Sequence, residues 1–293
     1  MEYMYPMNFE EFLMATNNHL LIENIKKCYK NMEPMPEFAH EQALKLYREY
    51  LCIGRMPESI NNFVESNMEI LKYDSNILSN IVGMYIADMK KYVKNNVESV
   101  KIEKIYKNIP MQLSKEKKNF QYNLIEEDGR KRKYESPIEW LIFSGMILIS
   151  SKVKKAEVPL KVYVDDMGFK LYLSDVGLLT TMAEINFSDI MLDKGFEYKG
   201  AIAENYIAQE LKSHGKSLYY WTYGRNAKMD FLLYNDDGII PLEVKSSGNV
   251  KSASLNTYMK VNKPQYALRI STRNFGYENG IKSIPLYAAF CID

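Results

Sequence analysis

At 293 residues the chain exceeds one average domain and suggests two or three. Its 46% hydrophobic content is enough for real cores, and a formal charge of +1 excludes a global field that would drive it onto nucleic acid or a membrane surface. Cys28, Cys52 and Cys291 are odd in number and far apart, which argues against a disulfide framework or a zinc site. His19, His40 and His214 are isolated. There is no apolar run of about 18 residues and no signal-peptide core, so no membrane is expected and the expected location is cytoplasmic.

The first hundred residues read as helices. A short strand-like segment leads to a helix from near Asn8, and apolar residues recur at three- and four-residue spacing over 18–31 and 39–52. Pro34 and Pro36 break the pattern, and Pro57 is placed to start a helix through Val64. Ile70 to Val93 and Ile102 to Leu113 continue it, the last interrupted at Pro110. These residues, 1–113, are expected to form a helical module.

Beyond it the character changes. Arg130, Lys131, Arg132 and Lys133 form a basic cluster, and Ser136, Pro137 and Glu139 are matched start signals for a helix through Ile149. Strands are expected near Ile149 to Val153 and Phe169 to Leu173. Helices followed by a β-hairpin are the ingredients of a winged helix, expected over 114–190, with a linker at 186–194. Residues 101–160 hold 13 Lys or Arg against 8 Asp or Glu. That local excess makes DNA a candidate partner through the four basic residues, although solvated loop charges read the same way.

From 195 onward the chain carries its most informative pattern. Gly200 to Leu211 has helical apolar spacing and contains Glu204, and Leu218 to Tyr223 is an aromatic-rich strand. Lys228 to Tyr234 and Ile239 to Lys245 flank Asn235-Asp-Asp-Gly238, which reads as a β-hairpin. If Asn235 pairs with Gly238, Asp230 falls opposite Glu243, with Cβ atoms about 5 Å apart. A bulged three-residue loop at Gly238 would shift that pairing by one and spoil the convergence. Two close carboxylates need a cation between them, either Lys245 or an oxygen-seeking ion such as Mg²⁺ or Mn²⁺. A helix follows over Ser252 to Val261, then strands over Gln265 to Ser271 and Ile284 to Ile292.

This order of helix with Glu, strand, strand with Asp, strand with Glu-x-Lys, and helix resembles the PD-(D/E)xK nuclease-like fold. The overall expectation is therefore an α+β multi-domain chain: a helical module, a winged helix, then an α/β restriction-endonuclease-like domain over 195–293. The resemblance implies Glu204, Asp230, Glu243 and Lys245 as catalytic residues, with Asp230 and Glu243 holding the metal. The chain also resembles the C-terminal domain of unknown function that follows the AAA-type ATPase module in many bacterial and archaeal proteins. Tyr5-Pro-Met-Asn-Phe-Glu-Glu-Phe-Leu13 is similar to that family's Tyr-Pro-Leu-Ser-Phe-Glu-Glu-Phe-Leu segment, and Gly54-Arg-Met-Pro-Glu-Ser-Ile60 to its Gly-Gly-Met-Pro-Glu-Ala-Val. Ile109 to Leu113, Phe169 to Leu179 and Gly200 to Lys245 follow the pattern too.

Two departures stand out. No Gly-x-x-x-x-Gly-Lys-Ser/Thr loop is present, so the chain is expected not to be an ATPase by itself but a fragment, split protein or truncated relative without its motor. Lys228 also stands two positions before Asp230, where the family usually has Glu. Two functions are consistent with this: a metal-dependent phosphodiesterase acting on nucleic acid, or a non-catalytic DNA- or protein-binding module serving a separate ATPase or other protein.

Overall fold

A computed structural model of the chain describes residues 4–93, 95–116, 118–193, 195–224, 227–248 and 253–292. The N-terminal part is helical: α1 (Phe9–Ala15), α2 (His19–Asn31), α3 (Glu37–Ile53), α4 (Pro57–Glu65), α5 (Asn76–Tyr92) and α6 (Asn96–Leu113). Asn8 and Glu11 form a reciprocal capping box that fixes where α1 begins. Pro57 opens α4 as its position requires. Helix α5 begins at Asn76, later than periodicity suggests: the Lys72 N–H bonds the Glu69 carbonyl in a turn, and Asp74 accepts from the Asn76 N–H where the helix starts. Helix α6 runs through Pro110 rather than stopping there, although the ring removes one intrahelical donor in its last turn.

Next come α7 (Lys131–Phe143), β1 (Ile147–Val153) and β2 (Val164–Leu173). Here the expected start at Ser136 is corrected: α7 begins five residues earlier and Pro137 lies inside it. The added turn is held by Tyr134, fully buried, whose hydroxyl donates to Glu126 at 2.6 Å. Short helices α8 (Val176–Met182) and α9 (Phe187–Met191) lead to α10 (Lys199–Ser213). The stretch read as a linker thus contains α9, whose Ile190 is buried; Lys194 lies outside the described residues.

The remaining elements are β3 (Tyr219–Tyr223), β4 (Ala227–Asn235), β5 (Gly238–Val244), α11 (Ala253–Asn262), β6 (Ala267–Ser271), β7 (Gly276–Glu278) and β8 (Ile281–Pro285). The expected helix start at Ser252 lies outside the described residues. The expected terminal strand ends at Pro285, and Leu286–Cys291 forms a 3₁₀ helix instead. Its residues Leu286 to Phe290 are all buried, which suits a helical turn packed on every side better than a half-exposed strand.

The eight strands of the described residues belong to one mixed sheet in the order β2-β1-β3-β4-β5-β6-β8-β7. The β1–β2 hairpin pairs Ile147 with Leu173 and Ser151 with Phe169. Strand β1 then runs parallel to β3, with Ser151 to Val153 against Tyr219 to Trp221. The hairpin that sequence alone assigns to a wing is therefore continuous with the C-terminal strands. Among the described residues helices and a mixed sheet are combined as α+β composition predicts. Helix α10 packs against β1, β2 and β5, while α11 covers β4 and β5. The larger core runs from Phe9 to Ile292 and includes Phe231 and Leu242; the smaller holds Trp221, Leu232 and Tyr258.

Two local features of this sheet aim the site. Asn235 pairs with Gly238 and Phe231 with Leu242, so the turn has the two residues Asp236 and Asp237, with Gly238 at φ +96°. The register in the β3–β4 ladder shifts between Tyr219 and Trp221, leaving Asp230 and Phe231 of β4 against the single residue Tyr220. That is a β-bulge, which re-aims the side chain it carries.

Candidate functional site

Helix α10 is buried along its length from Ala201 to Leu211, so its polar residues must find partners inside the protein. Asn205 accepts from the Leu173 N–H at 2.9 Å and donates to the Leu173 carbonyl at 3.0 Å. Gln209 accepts from the Val176 N–H at 2.9 Å. Glu210 accepts from the Phe9 N–H at 3.3 Å. These bonds fix the helix against β2, α8 and α1 and thereby position Glu204.

Glu204 is 2% exposed. Its Oε1 accepts from the Lys170 ammonium at 2.8 Å and from the Tyr172 hydroxyl at 2.5 Å. Its Oε2 accepts from the Lys118 ammonium at 2.5 Å, and Lys118 also donates to the Gly200 carbonyl at 3.2 Å. Burial pushes the Glu204 carboxyl up, but the charges and hydrogen bonds of Lys118 and Lys170 outweigh it and hold the group well below the usual carboxylate range. For Lys118, burial opposes the charge, whereas Glu204 and then Asp230 favour it, and the balance raises it above the ordinary lysine value. The Tyr172 hydroxyl is pushed well up by burial, then by Glu204, with Asp230 adding to it.

Asp230 belongs to the same group. It is 5% exposed, its charge acts on both Lys118 and Tyr172, and its Oδ2 accepts from the Val244 N–H at 3.0 Å. Glu243 pairs with Lys245 at 3.2 Å. Leu242 and Val244 turn into the larger core, so alternation puts Glu243 on the other face, beside its register neighbour Arg269. The expected quartet is thus gathered in two parts. Glu204 binds Lys118, on which the charge of Asp230 also acts, Glu243 and Lys245 form their own pair, and the Val244 N–H links the two.

Beside Lys118 and Lys170 opens a cleft of about 410 Å³, lined also by Asn119, Lys152, Tyr220 and Lys228. Lys170 lies 4.7 Å above the Tyr220 ring, and the Tyr220 hydroxyl donates to Asn119 at 2.8 Å. Lys152 is 3.6 Å from Asp165, and Lys228 is exposed to solvent. The basic cluster lies elsewhere, at the start of α7: Lys133 pairs with Glu126 at 2.6 Å, Lys131 with Glu135 at 3.6 Å, and Arg130 and Arg132 are exposed.

Lys118, Lys170 and Tyr172 escape sequence reasoning. Lys170 and Tyr172 left a faint signal, a polar pair two apart in the otherwise apolar run Phe169 to Leu173, which puts both on one face. Lys118 left none, since it stands in a charged loop among other lysines.

Whether these residues suit Mg²⁺ or Mn²⁺ follows from the donors. Both Glu204 oxygens are held by ammonium or hydroxyl donors, and the charge of Asp230 is felt by the Lys118 ammonium that binds Glu204. Among the described residues, no three His, Cys, Asp or Glu side chains gather as ion ligands. As arranged, the Glu204–Asp230 group does not fit a divalent ion.

The architecture defines a mixed α/β protein with a buried carboxylate–lysine cluster beneath a lysine-lined cleft. Residues 199–289 match the family model described as Domain of unknown function (DUF4143), and residues 44–189 match Domain of unknown function (DUF8612). The first agrees with the resemblance to an unknown-function domain drawn from the motifs. Neither the curated proteins nor the solved structures contained a match. Among the described residues no helix is long and apolar enough to cross a membrane.

Proposed function

We propose that this chain is a non-catalytic nucleic-acid-binding module, built on a nuclease-like scaffold and serving a separate ATPase. The order α10, β3, β4, β5, α11 supports the nuclease-like reading, and the motif resemblance supports the ATPase partner. One observation carries the choice of binding over cleavage: the two oxygens of Glu204 are held by Lys118, Lys170 and Tyr172, so this carboxylate is committed to protein cations. The adjoining cleft, which also carries Glu116, offers a phosphate backbone the exposed Lys228 and, beside Asp165, Lys152. Contacts of that kind give affinity without sequence preference, with a steep dependence on salt.

Fluorescence anisotropy with single- and double-stranded DNA tests this. Lys228→Glu combined with Lys152→Glu is expected to weaken binding at least about tenfold and to flatten the salt slope by about two, since each phosphate no longer neutralised by a lysine accounts for close to one. Arg130, Lys131, Arg132 and Lys133 replaced together by alanine should flatten it less, because none of the four lines the cleft. An unchanged slope in the Lys152/Lys228 variant would overturn the reading.

Metal-dependent phosphodiester cleavage is the second reading. It is favoured by the strand ends, where Asp230 holds the Val244 N–H between Glu243 and Lys245. Nicking of plasmid DNA in Mg²⁺ or Mn²⁺ that is lost in Lys245→Ala would establish it over the first.

A further inference from the structure

Lys118 comes from the irregular segment after α6, yet its side chain is only 13% exposed. Its ammonium donates to two oxygens and lies in the field of a third group. Glu204 Oε2 lies at 2.5 Å and the Gly200 carbonyl at 3.2 Å, while the negative charge of Asp230 acts on it from β4. Carboxylate and carbonyl oxygens are the donors that hard divalent ions take. An ammonium and a dication cannot share that position, because the like charges would repel in a buried setting.

We infer that Lys118 is a tethered cation that excludes a divalent ion from between Glu204 and Asp230 and takes over its electrostatic role. The charge balance explains why the exclusion holds. Two carboxylates, Glu204 and Asp230, stand against two ammonium groups, Lys118 and Lys170. A dication added to that balanced set would leave it strongly positive. With Lys118 gone, one Glu204 oxygen and the Gly200 carbonyl are released together, Asp230 keeps its charge nearby, and the set carries one net negative charge. The inference does not rest on the nucleic-acid reading, since it concerns only the full chain and an ion.

Calorimetric titration of the full chain with MnCl₂ tests it, supported by the manganese EPR signal. Lys118→Met keeps the length of the side chain and removes its charge. This variant is expected to bind Mn²⁺ at least about tenfold more tightly than the unaltered chain, and its melting temperature should rise with Mn²⁺ by mass action. Adding Glu204→Gln should remove that gain. Equal Mn²⁺ affinity with and without Lys118, or a folded Lys118→Met chain that takes no ion, would overturn the inference. So would a gain in affinity that survives Glu204→Gln. If Lys118→Met unfolds, recovery of its circular dichroism on refolding in Mn²⁺ supports the inference, and failure to recover counts against it. Loss of DNA binding would show instead in the anisotropy of the unaltered chain, so the two proposals fail separately.

Discussion

Glu204 and Glu210 lie on one helix, both fully buried, yet their surroundings move them in opposite directions. Glu204 faces two ammonium groups and stays charged. Glu210 sits among Phe9, Tyr50 and Tyr206; burial pushes its carboxyl up to about 6, against the pull of Arg55 and the Phe9 N–H. The two therefore couple stability to pH with opposite sign. Glu204 is depressed on folding, so its contribution is complete above its ordinary unfolded value and is lost only as pH falls through the folded one. Replacing it with Gln leaves Lys118 and Lys170 buried without their counter-charge. Glu204→Gln is expected to lower stability at pH 7 by about 3–5 kcal/mol in urea unfolding. A loss below about 1 kcal/mol would mean that the lysines find water or other acceptors. Glu210 is raised on folding, so its contribution is present below the unfolded value and is lost as pH rises through about 6. Glu210→Gln should raise the melting temperature at pH 7.5, where it removes at most about 2 kcal/mol of buried-charge cost. It should do little at pH 4.5.

At the level of elements, the junction of α3, α4 and α8 shows how a sequence motif becomes a packing device. Asp175 is fully buried and caps α8 through the Gly177 and Leu178 N–H groups, while accepting from the Arg55 N–H at 2.9 Å. Its carboxyl is raised by burial despite those donors. The start of α8 thereby closes on the Gly54-Arg-Met-Pro turn so tightly that a Cβ on Gly177 would meet the Gly54 Cα at 2.5 Å. Gly177→Ala is expected to cost about 1–3 kcal/mol by overpacking, read as a lower midpoint in urea. A Gly200→Ala control, with open space at its Cβ, should not. The same scale separates what the sequence reveals from what it hides. The Asn235–Gly238 turn was legible because two-residue hairpins are decided locally, and the strand pairing followed from it. The aim of Asp230 was not, because the bulge that turns it arises between β3 and β4, in a ladder whose shift no local signal marks. Glu204 was picked out as a site residue, but its partners come from β2 and a distant loop, a juxtaposition only the folded sheet creates. Pro137 marks no helix start for a related reason: α7 reaches back to Lys131, where Tyr134 is buried by tertiary packing that no local signal shows.

At the scale of the whole molecule, the parallel pairing of β1 with β3 and the packing of α10 make the halves interdependent. The N-terminal helices reach the other end of the chain as well. Phe9 lies 6.3 Å from Phe290, His40 Nδ1 is 2.8 Å from the Tyr287 hydroxyl, and the Met35 N–H donates to Asn274 at 2.9 Å. If residues 195–293 were made alone, β3 would lose its neighbour and present an open edge. Helix α10 would also lose the partners of Glu204, Asn205, Gln209 and Glu210, since Lys118, Lys170, Leu173, Val176 and Phe9 all lie before residue 195. Each buried polar group left unmet costs about 1–3 kcal/mol, and charged ones more, so the sum exceeds the margin by which a domain of that size is stable. The fragment is therefore expected to lack a cooperative melt and to aggregate, whereas the full chain should unfold in one calorimetric transition. Co-expression of 1–194 with 195–293 should restore a soluble, cooperatively melting pair. A fragment 195–293 that melts cooperatively by itself would show that the β1–β3 pairing joins two self-sufficient units.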